Sequence, residues 1–274
     1  MKQPKPVGAR FARGETSNGR GFTLLELLVV LAIMSALAAL LASALNRTKA
    51  RTFQVACLNN MRQLQIGWFL YANENEDQLP LNRTETTPGL NELIFGRRNS
   101  SDSWVAGNPK QDVTSANIVK GTLFPYTKAV ASYHCPADRS TVIGKPVQRT
   151  RSYSISTYMN GDDAGLDPRV KTTDASIVNP GPDKVFVFIE EHEASVWAGG
   201  FAVTPKEKFS LASGSWTSTP SDRHNQGCNL SFADGHVEHW KWFWPKTVDL
   251  NNRLSVNQHD LRDLRRLQDS VPKR

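Results

Sequence analysis

The feature that most constrains this chain is an apolar run, Phe22–Leu45, broken only by Thr23, Glu26, Ser35 and Ser43. At about 1.5 Å per residue its 24 residues reach about 36 Å as a helix, enough to cross a hydrocarbon layer of about 30 Å. Residues 22–45 are therefore predicted to be a transmembrane helix. Ahead of it, residues 1–21 are polar and rich in Gly, Pro and Ser, without helical periodicity, and read as an unstructured leader. Lys2, Lys5, Arg10, Arg13 and Arg20 against Glu15 place more than half of the net charge of +7 in that leader. Arg47, Lys49 and Arg51 follow the span, so the contrast is modest. It still favours a cytoplasmic N-terminus and a C-terminal domain on the far side of the membrane.

The location of the charge also weakens the nucleic-acid reading that a pI near 9.4 invites. Without the leader the chain is mildly basic, and Arg262, Arg265, Arg266, Lys273 and Arg274 are partly offset by Asp260, Asp263 and Asp269. No nucleic-acid partner is expected. A secretory signal would have a shorter apolar core and a small-x-small cleavage site after it. A plain signal anchor fits length and charge but leaves Glu26 unexplained. A carboxylate at full membrane depth costs on the order of 2.5–3.5 kcal/mol, and less near the interface.

Gly21, Phe22, Thr23, Leu24 and Glu26, followed by the uncharged run, resemble the class III signal of type IV prepilins and pseudopilins. The resemblance implies a prepilin peptidase that cuts between Gly21 and Phe22 and methylates Phe22 as the new N-terminus. Glu26 then becomes the fifth residue, the family's acidic position. Its carboxylate is expected to meet the α-amino group of a neighbouring subunit during assembly, because an unpaired charge there is costly. The partners implied are the peptidase, other pseudopilins or pilins, and an inner-membrane assembly platform.

No proline interrupts residues 22–75. Phe53, Cys57, Met61, Leu64, Trp68 and Tyr71 recur every three or four residues, the apolar stripe of a helix packed on a core. One helix is thus expected from about Phe22 to Glu74, with 46–75 its amphipathic continuation. Asn73-Glu74-Asn75-Glu76-Asp77 and then Pro80 end it. The oxygens of that segment are of the kind that hold Ca2+, but the full Asp-x-Asp-x-Asp-Gly pattern is missing. The preferred reading is a solvated loop, with Ca2+ as the alternative.

Residues 82–125 read as loops. Ser152–Met159 and Lys184–Ile189 read as strands, the second apolar enough to be buried, and Cys135-Pro136-Ala137-Asp138 as a turn after Val130–Tyr133. Asn229–Ala233 and His236–Trp242 flank Asp234-Gly235, which predicts a hairpin with a two-residue type I′ turn. That turn would set Phe232 opposite Val237 and Leu230 opposite His239. Leu261, Leu264 and Leu267 suit a helix over Asp260–Gln268.

Cys57, Cys135 and Cys228 form no CxxC pair, so zinc-finger spacing is absent. In an oxidising compartment three disulfide pairings are open, and Cys57 with Cys135 is preferred. His224 followed nine residues later by Asp234-Gly235 resembles the His-x9-Asp-Gly segment of a class of prepilin-type proteins. Other blocks resemble that class as well: Ala56–Leu64, His134–Asp138, Tyr158…Asn160-Gly161, Phe188–His192 and Asp263–Gln268. The resemblance implies secretion or pilus-type assembly and no catalytic activity. His224, Asp234, His236, Glu238 and His239 are metal-binding types, but His236 and Glu238 point to one strand face and His239 to the other. The preferred reading is a turn at Asp234-Gly235, with His224 bonded to backbone near it and no metal. No phosphate loop, GxSxG or HExxH motif occurs.

The expected fold is α+β: a long N-terminal helix on an antiparallel sheet, with long loops and a short C-terminal helix. The expected parts are a leader (1–21), membrane helix (22–45), helix continuation (46–75), periplasmic domain (76–250) and helical tail (251–274). The expected function is that of a structural subunit, minor by its length, of a type II secretion pseudopilus or pilus-like filament. The rivals are a membrane-anchored binding protein outside any filament and a periplasmic metal-dependent hydrolase around His224 and Asp234.

Overall fold

Leu24–Glu74 forms one α-helix, α1. Its composition explains its length: no proline, many Ala and Leu, and a single glycine, Gly67. A Cβ on Gly67 would lie 2.7 Å from Thr127 Cγ2, so the glycine is there for close packing. The computed structural model describes residues 23–86, 97–207, 214–248 and 254–274. The leader, Gly21 and Phe22 lie outside the described residues. The chain divides into two units, one ending at Arg47 and the other beginning at Thr48.

Over Leu24–Ala42 the helix is almost entirely apolar and its large apolar side chains are exposed, Leu24 at 78% and Leu41 at 69%. The second unit begins with the amphipathic part of α1. Its predicted stripe is the buried face: Cys57, Met61, Leu64 and Trp68 have no solvent exposure, and Phe53 and Tyr71 are half-buried. Each large apolar side chain so buried contributes about 1.5–3 kcal/mol. The helix closes where Asp77 N–H reaches back to Ala72 O at 2.9 Å, with Glu76 and Asp77 in the left-handed region at φ 54° and 66°.

Beyond α1 come β1 (Thr84–Thr86), β2 (Arg97–Asn99), the short helices α2 (Ala116–Val119) and α3 (Phe124–Thr127), and a 3-10 turn at Val130–Tyr133. Then follow β3 (Tyr153–Ser156), β4 (Phe186–Glu190), β5 (Gly200–Phe201), β6 (Gly227–Phe232), β7 (Val237–Lys241) and α4 (Gln258–Asp269). The main sheet has the order β5-β3-β4-β6-β7. The expected α+β class holds, with one addition: β5 pairs parallel to β3 at the edge of an otherwise antiparallel sheet. The loop-rich region holds more order than expected, because β1 and β2 pair and Trp104 reaches into the core, donating from Nε1 to Gly199 O at 3.2 Å.

The β6–β7 hairpin stands where expected, but in a different register. Phe232 N–H bonds His236 O, and Gly235 N–H bonds Phe232 O, so the loop has three residues, Ala233-Asp234-Gly235. A type I′ turn needs positive φ at both central residues, whereas in this loop only Gly235 has it, at 97°. Every pairing therefore slides by one: Ser231 faces Val237, Leu230 faces Glu238 and Asn229 faces His239.

Candidate functional site

Two places carry the residues that the sequence singles out. The first is the start of α1. Thr23 precedes the first helical residue and Glu26 is the third, the spacing of a capping box. Glu26 Oε2 accepts from Thr23 N–H and Thr23 Oγ1, each at 2.8 Å, and Glu26 N–H bonds Thr23 Oγ1 at 3.2 Å. Within the chain, Glu26 thus takes the Thr23 N–H while Thr23 Oγ1 takes the Glu26 N–H, two donors that a helix start otherwise leaves open. Immediately after it, Leu24–Ala42 is long and apolar enough to cross a membrane, with mean hydropathy 2.7.

The second place lies inside the second unit. Cys57 comes from α1, Cys135 from the turn after Val130–Tyr133, Glu190 from the end of β4, and His224 from the turn entering β6. All four are buried, with exposures of 0, 0, 0 and 2%. One ligand-type atom from each lies within 4.8 Å of the other three. His224 Nε2 is 3.3 Å from Cys135 Sγ and 3.1 Å from Glu190 Oε1. A second ring of contacts holds the cluster: Tyr153 OH meets Cys57 Sγ at 2.9 Å, and Asn229 N–H donates to Glu190 Oε2 at 2.9 Å. After His224 the chain turns through Asn225 and Gln226, both left-handed at φ 55° and 59°. Such backbone persists only where its surroundings fix it. Here Gln226 is fixed by bonds to Trp242 in both directions.

The electrostatics follow from burial and pairing. Burial alone would raise the Glu190 carboxyl, but the His224 bond and the charges of His224 and Arg223 hold it at about 2. Burial opposes the His224 charge, yet its bonds to Cys135 and Glu190 lift it to about 10. The Cys135 thiol is lowered by its bond to Cys57, against burial. Cys57 is pushed up by burial. Arg223 stands beside the cluster, its Nη2 3.4 Å from Asp138.

The preferred disulfide partners are thus brought together but unbonded: Cys57, Cys135 and also Cys228 are free thiols. The His-x9-Asp-Gly segment is corrected too. His224 does not bond near the Asp234-Gly235 turn. The nine-residue spacing is that of β6 with its two ends, His224 entering the core at one and Asp234-Gly235 reversing the chain at the other. Asp234 is surface-lying and accepts from His236 N–H at 3.1 Å. His236 and Glu238 share a face, at 3.2 Å, while His239 bonds Asn229 on the other. In the Asn73–Asp77 segment Asp77 Oδ2 accepts Ala175 N–H at 3.0 Å, and Asn75 Nδ2 donates to Tyr71 O. Among the described residues, the one gathering of three or more His, Cys, Asp or Glu ligand atoms is the buried cluster.

Sequence reasoning missed Glu190 as a site residue. Its signal was present: a carboxylate ends a strand whose other residues, Phe186-Val187-Phe188-Ile189, are all apolar and buried. Such a group is rarely buried without a partner.

Comparison with protein families matches residues 16–42 to the prokaryotic N-terminal methylation motif. No curated protein and no solved structure matches the chain. The motif spans the apolar stretch Leu24–Ala42 and supports a prepilin-like N-terminus of the kind that is processed.

Proposed function

We propose that this chain is a membrane-anchored subunit, minor by its length, of a pseudopilus or pilus-like filament. The carrying observation is the methylation motif at residues 16–42, laid over a helix whose apolar side chains are exposed along Leu24–Ala42. In this reading a prepilin peptidase cuts between Gly21 and Phe22 and methylates Phe22. Residues 22–45 hold the chain in the inner membrane, with the basic leader in the cytoplasm and the C-terminal domain in the periplasm. Assembly proceeds when an inner-membrane platform lifts the subunit and its apolar helix trades lipid for neighbouring helices. Glu26, capping its own helix in the single chain, then offers its carboxylate to the methylated terminus of the adjacent subunit. The second unit decorates the outside of the filament.

The test is the mature N-terminus, read by mass spectrometry on membranes from cells with and without the peptidase. A chain that begins at N-methyl-Phe22 only when the peptidase is present supports the reading. A chain that begins at Met1 in both, or is cut beyond Leu45, overturns it.

A further inference from the structure

We propose that Cys57, Cys135, Glu190 and His224 form a structural zinc site that ties α1 to the sheet. The donor set is two sulfurs, one imidazole nitrogen and one carboxylate oxygen, ligands that zinc accepts in four-coordinate structural sites. Zinc–sulfur bonds of about 2.3 Å and zinc–nitrogen or –oxygen bonds of about 2.0–2.2 Å give a tetrahedron whose edges are about 3.3–3.8 Å. Two edges here are 3.3 Å, from Cys135 Sγ to His224 Nε2, and 3.1 Å, from His224 Nε2 to Glu190 Oε1. No pair among the four atoms exceeds 4.8 Å. Small side-chain adjustments complete the shell. Zinc replaces the protons that these groups otherwise share.

Two details separate this site from a catalytic thiol. In a cysteine–histidine–carboxylate relay, the two ring nitrogens face different partners. Here one nitrogen, Nε2, faces both Cys135 and Glu190, so the groups converge on a point rather than along a chain. Both cysteines also have zero exposure, which leaves no approach for a substrate but suits a closed metal site. The surroundings fit as well. The Tyr153 hydroxyl can donate to Cys57 Sγ, and Asn229 N–H fixes the second oxygen of Glu190, as outer-shell groups orient metal ligands. Two thiolates and a carboxylate exceed the charge of Zn2+ by one; Arg223, paired with Asp138 and Glu193, lies near enough for its charge to act on Cys135 and Glu190 as well.

The four ligands come from four separate elements, so the metal would act where a disulfide acts in a small secreted domain. It does not depend on N-terminal processing. A chain cut at Gly21 and an uncut chain bind alike.

The test uses the full chain, produced in zinc- or cobalt-supplemented medium and purified in detergent. Wild type should carry one zinc per chain by elemental analysis. The cobalt form should show the visible ligand-field and thiolate charge-transfer bands of a tetrahedral site. Cys135→Ser or His224→Ala should lose the metal. His236→Ala, which removes the surface histidine between Asp234 and Glu238, should keep it. If the core variants fail to fold, the wild-type zinc content and cobalt spectrum decide. The proposal is overturned by a metal-free wild type whose three thiols all alkylate on denaturation, by a Cys57–Cys135 disulfide in a non-reducing peptide map, or by zinc that survives Cys135→Ser.

Discussion

Thr23 and Glu26 cap α1 reciprocally: the Glu26 carboxylate takes the Thr23 N–H and hydroxyl at 2.8 Å, and the Thr23 hydroxyl takes the Glu26 N–H at 3.2 Å. A residue expected to act between subunits therefore has a task within its own helix. The two tasks separate by mutation. Thr23→Ala removes the cap and weakens the helix start by about 0.5–2 kcal/mol, while leaving a carboxylate at position 26. Glu26→Gln keeps a capping side chain but removes the charge. If Glu26 pairs with a neighbour's terminus, filament yield measured by shearing and immunoblot falls with Glu26→Gln and stays near wild type with Thr23→Ala. Equal loss in both variants would assign Glu26 to capping alone.

Gly235 holds the register of the β6–β7 hairpin. Its φ of 97° is unfavourable for any residue with a Cβ, and that Cβ would also meet Phe69 of α1 at 3.0 Å. Gly235→Ala is expected to destabilise the domain by at least about 1–2 kcal/mol. Asp234→Asn, which keeps the oxygen that accepts His236 N–H, stays within about 0.5 kcal/mol. Thermal unfolding of the two variants checks this. Equal melting temperatures would mean that the left-handed position does not fix the turn.

Elements whose own residues dictate them were legible in the sequence. α1 follows from an unbroken, proline-free pattern, β4 from its apolar run, and α4 from Leu261, Leu264 and Leu267. The hairpin was legible in place but not in register, because Asp-Gly serves a two-residue turn and a three-residue loop with equal ease. β5 is two residues long, Gly200-Phe201, too short for any period to show. The buried cluster was illegible for a different reason. Its members stand at 57, 135, 190 and 224, and only the fold brings them to one point. His224 was noticed for its spacing to Asp234, a neighbour along the chain that plays no part in its surroundings.

Lys110 gives a pH dependence of known sign. Its ammonium is buried, donates to Ala194 O at 2.9 Å and lies 3.4 Å from the centre of the Trp197 ring. Burial lowers its pKa to about 8; Arg149 adds to the shift and Glu191 opposes it. Below that value both folded and unfolded chains hold the proton, and folding bears the full cost of the buried charge. Between about 8 and the unfolded value near 10.4 the unfolded chain binds more protons, so stability rises with pH, by at most about 3 kcal/mol. Lys110→Met should remove this rise. Denaturant midpoints at pH 7.5 and 9.5 test it: a wild-type increment no larger than that of Lys110→Met would refute the assignment.

The last prediction concerns Lys246, which follows β7 and anchors α4. Its ammonium is buried, 2.8 Å from Asp260 Oδ1 and 2.7 Å from Asp263 Oδ2, with the Trp216 and Trp242 rings at 4.7 and 5.2 Å. Both carboxylates have further tasks: Asp260 accepts from Trp216 Nε1, and Asp263 from the N–H groups of Phe243 and Trp244. Lys246→Met keeps an unbranched side chain one atom shorter but strands two buried negative charges. Breaking a buried pair in this way costs about 3–5 kcal/mol, far more than the net worth of the intact bridge. Asp260→Asn alone removes one charge while its oxygen can still accept from Trp216. In the double variant Lys246→Met/Asp260→Asn a single stranded carboxylate remains, so the two losses should fall short of additivity by at least about 1 kcal/mol. A cycle of thermal or denaturant unfolding on the four proteins measures that coupling. Strict additivity would mean that Lys246 is held by the tryptophan rings rather than by the aspartates.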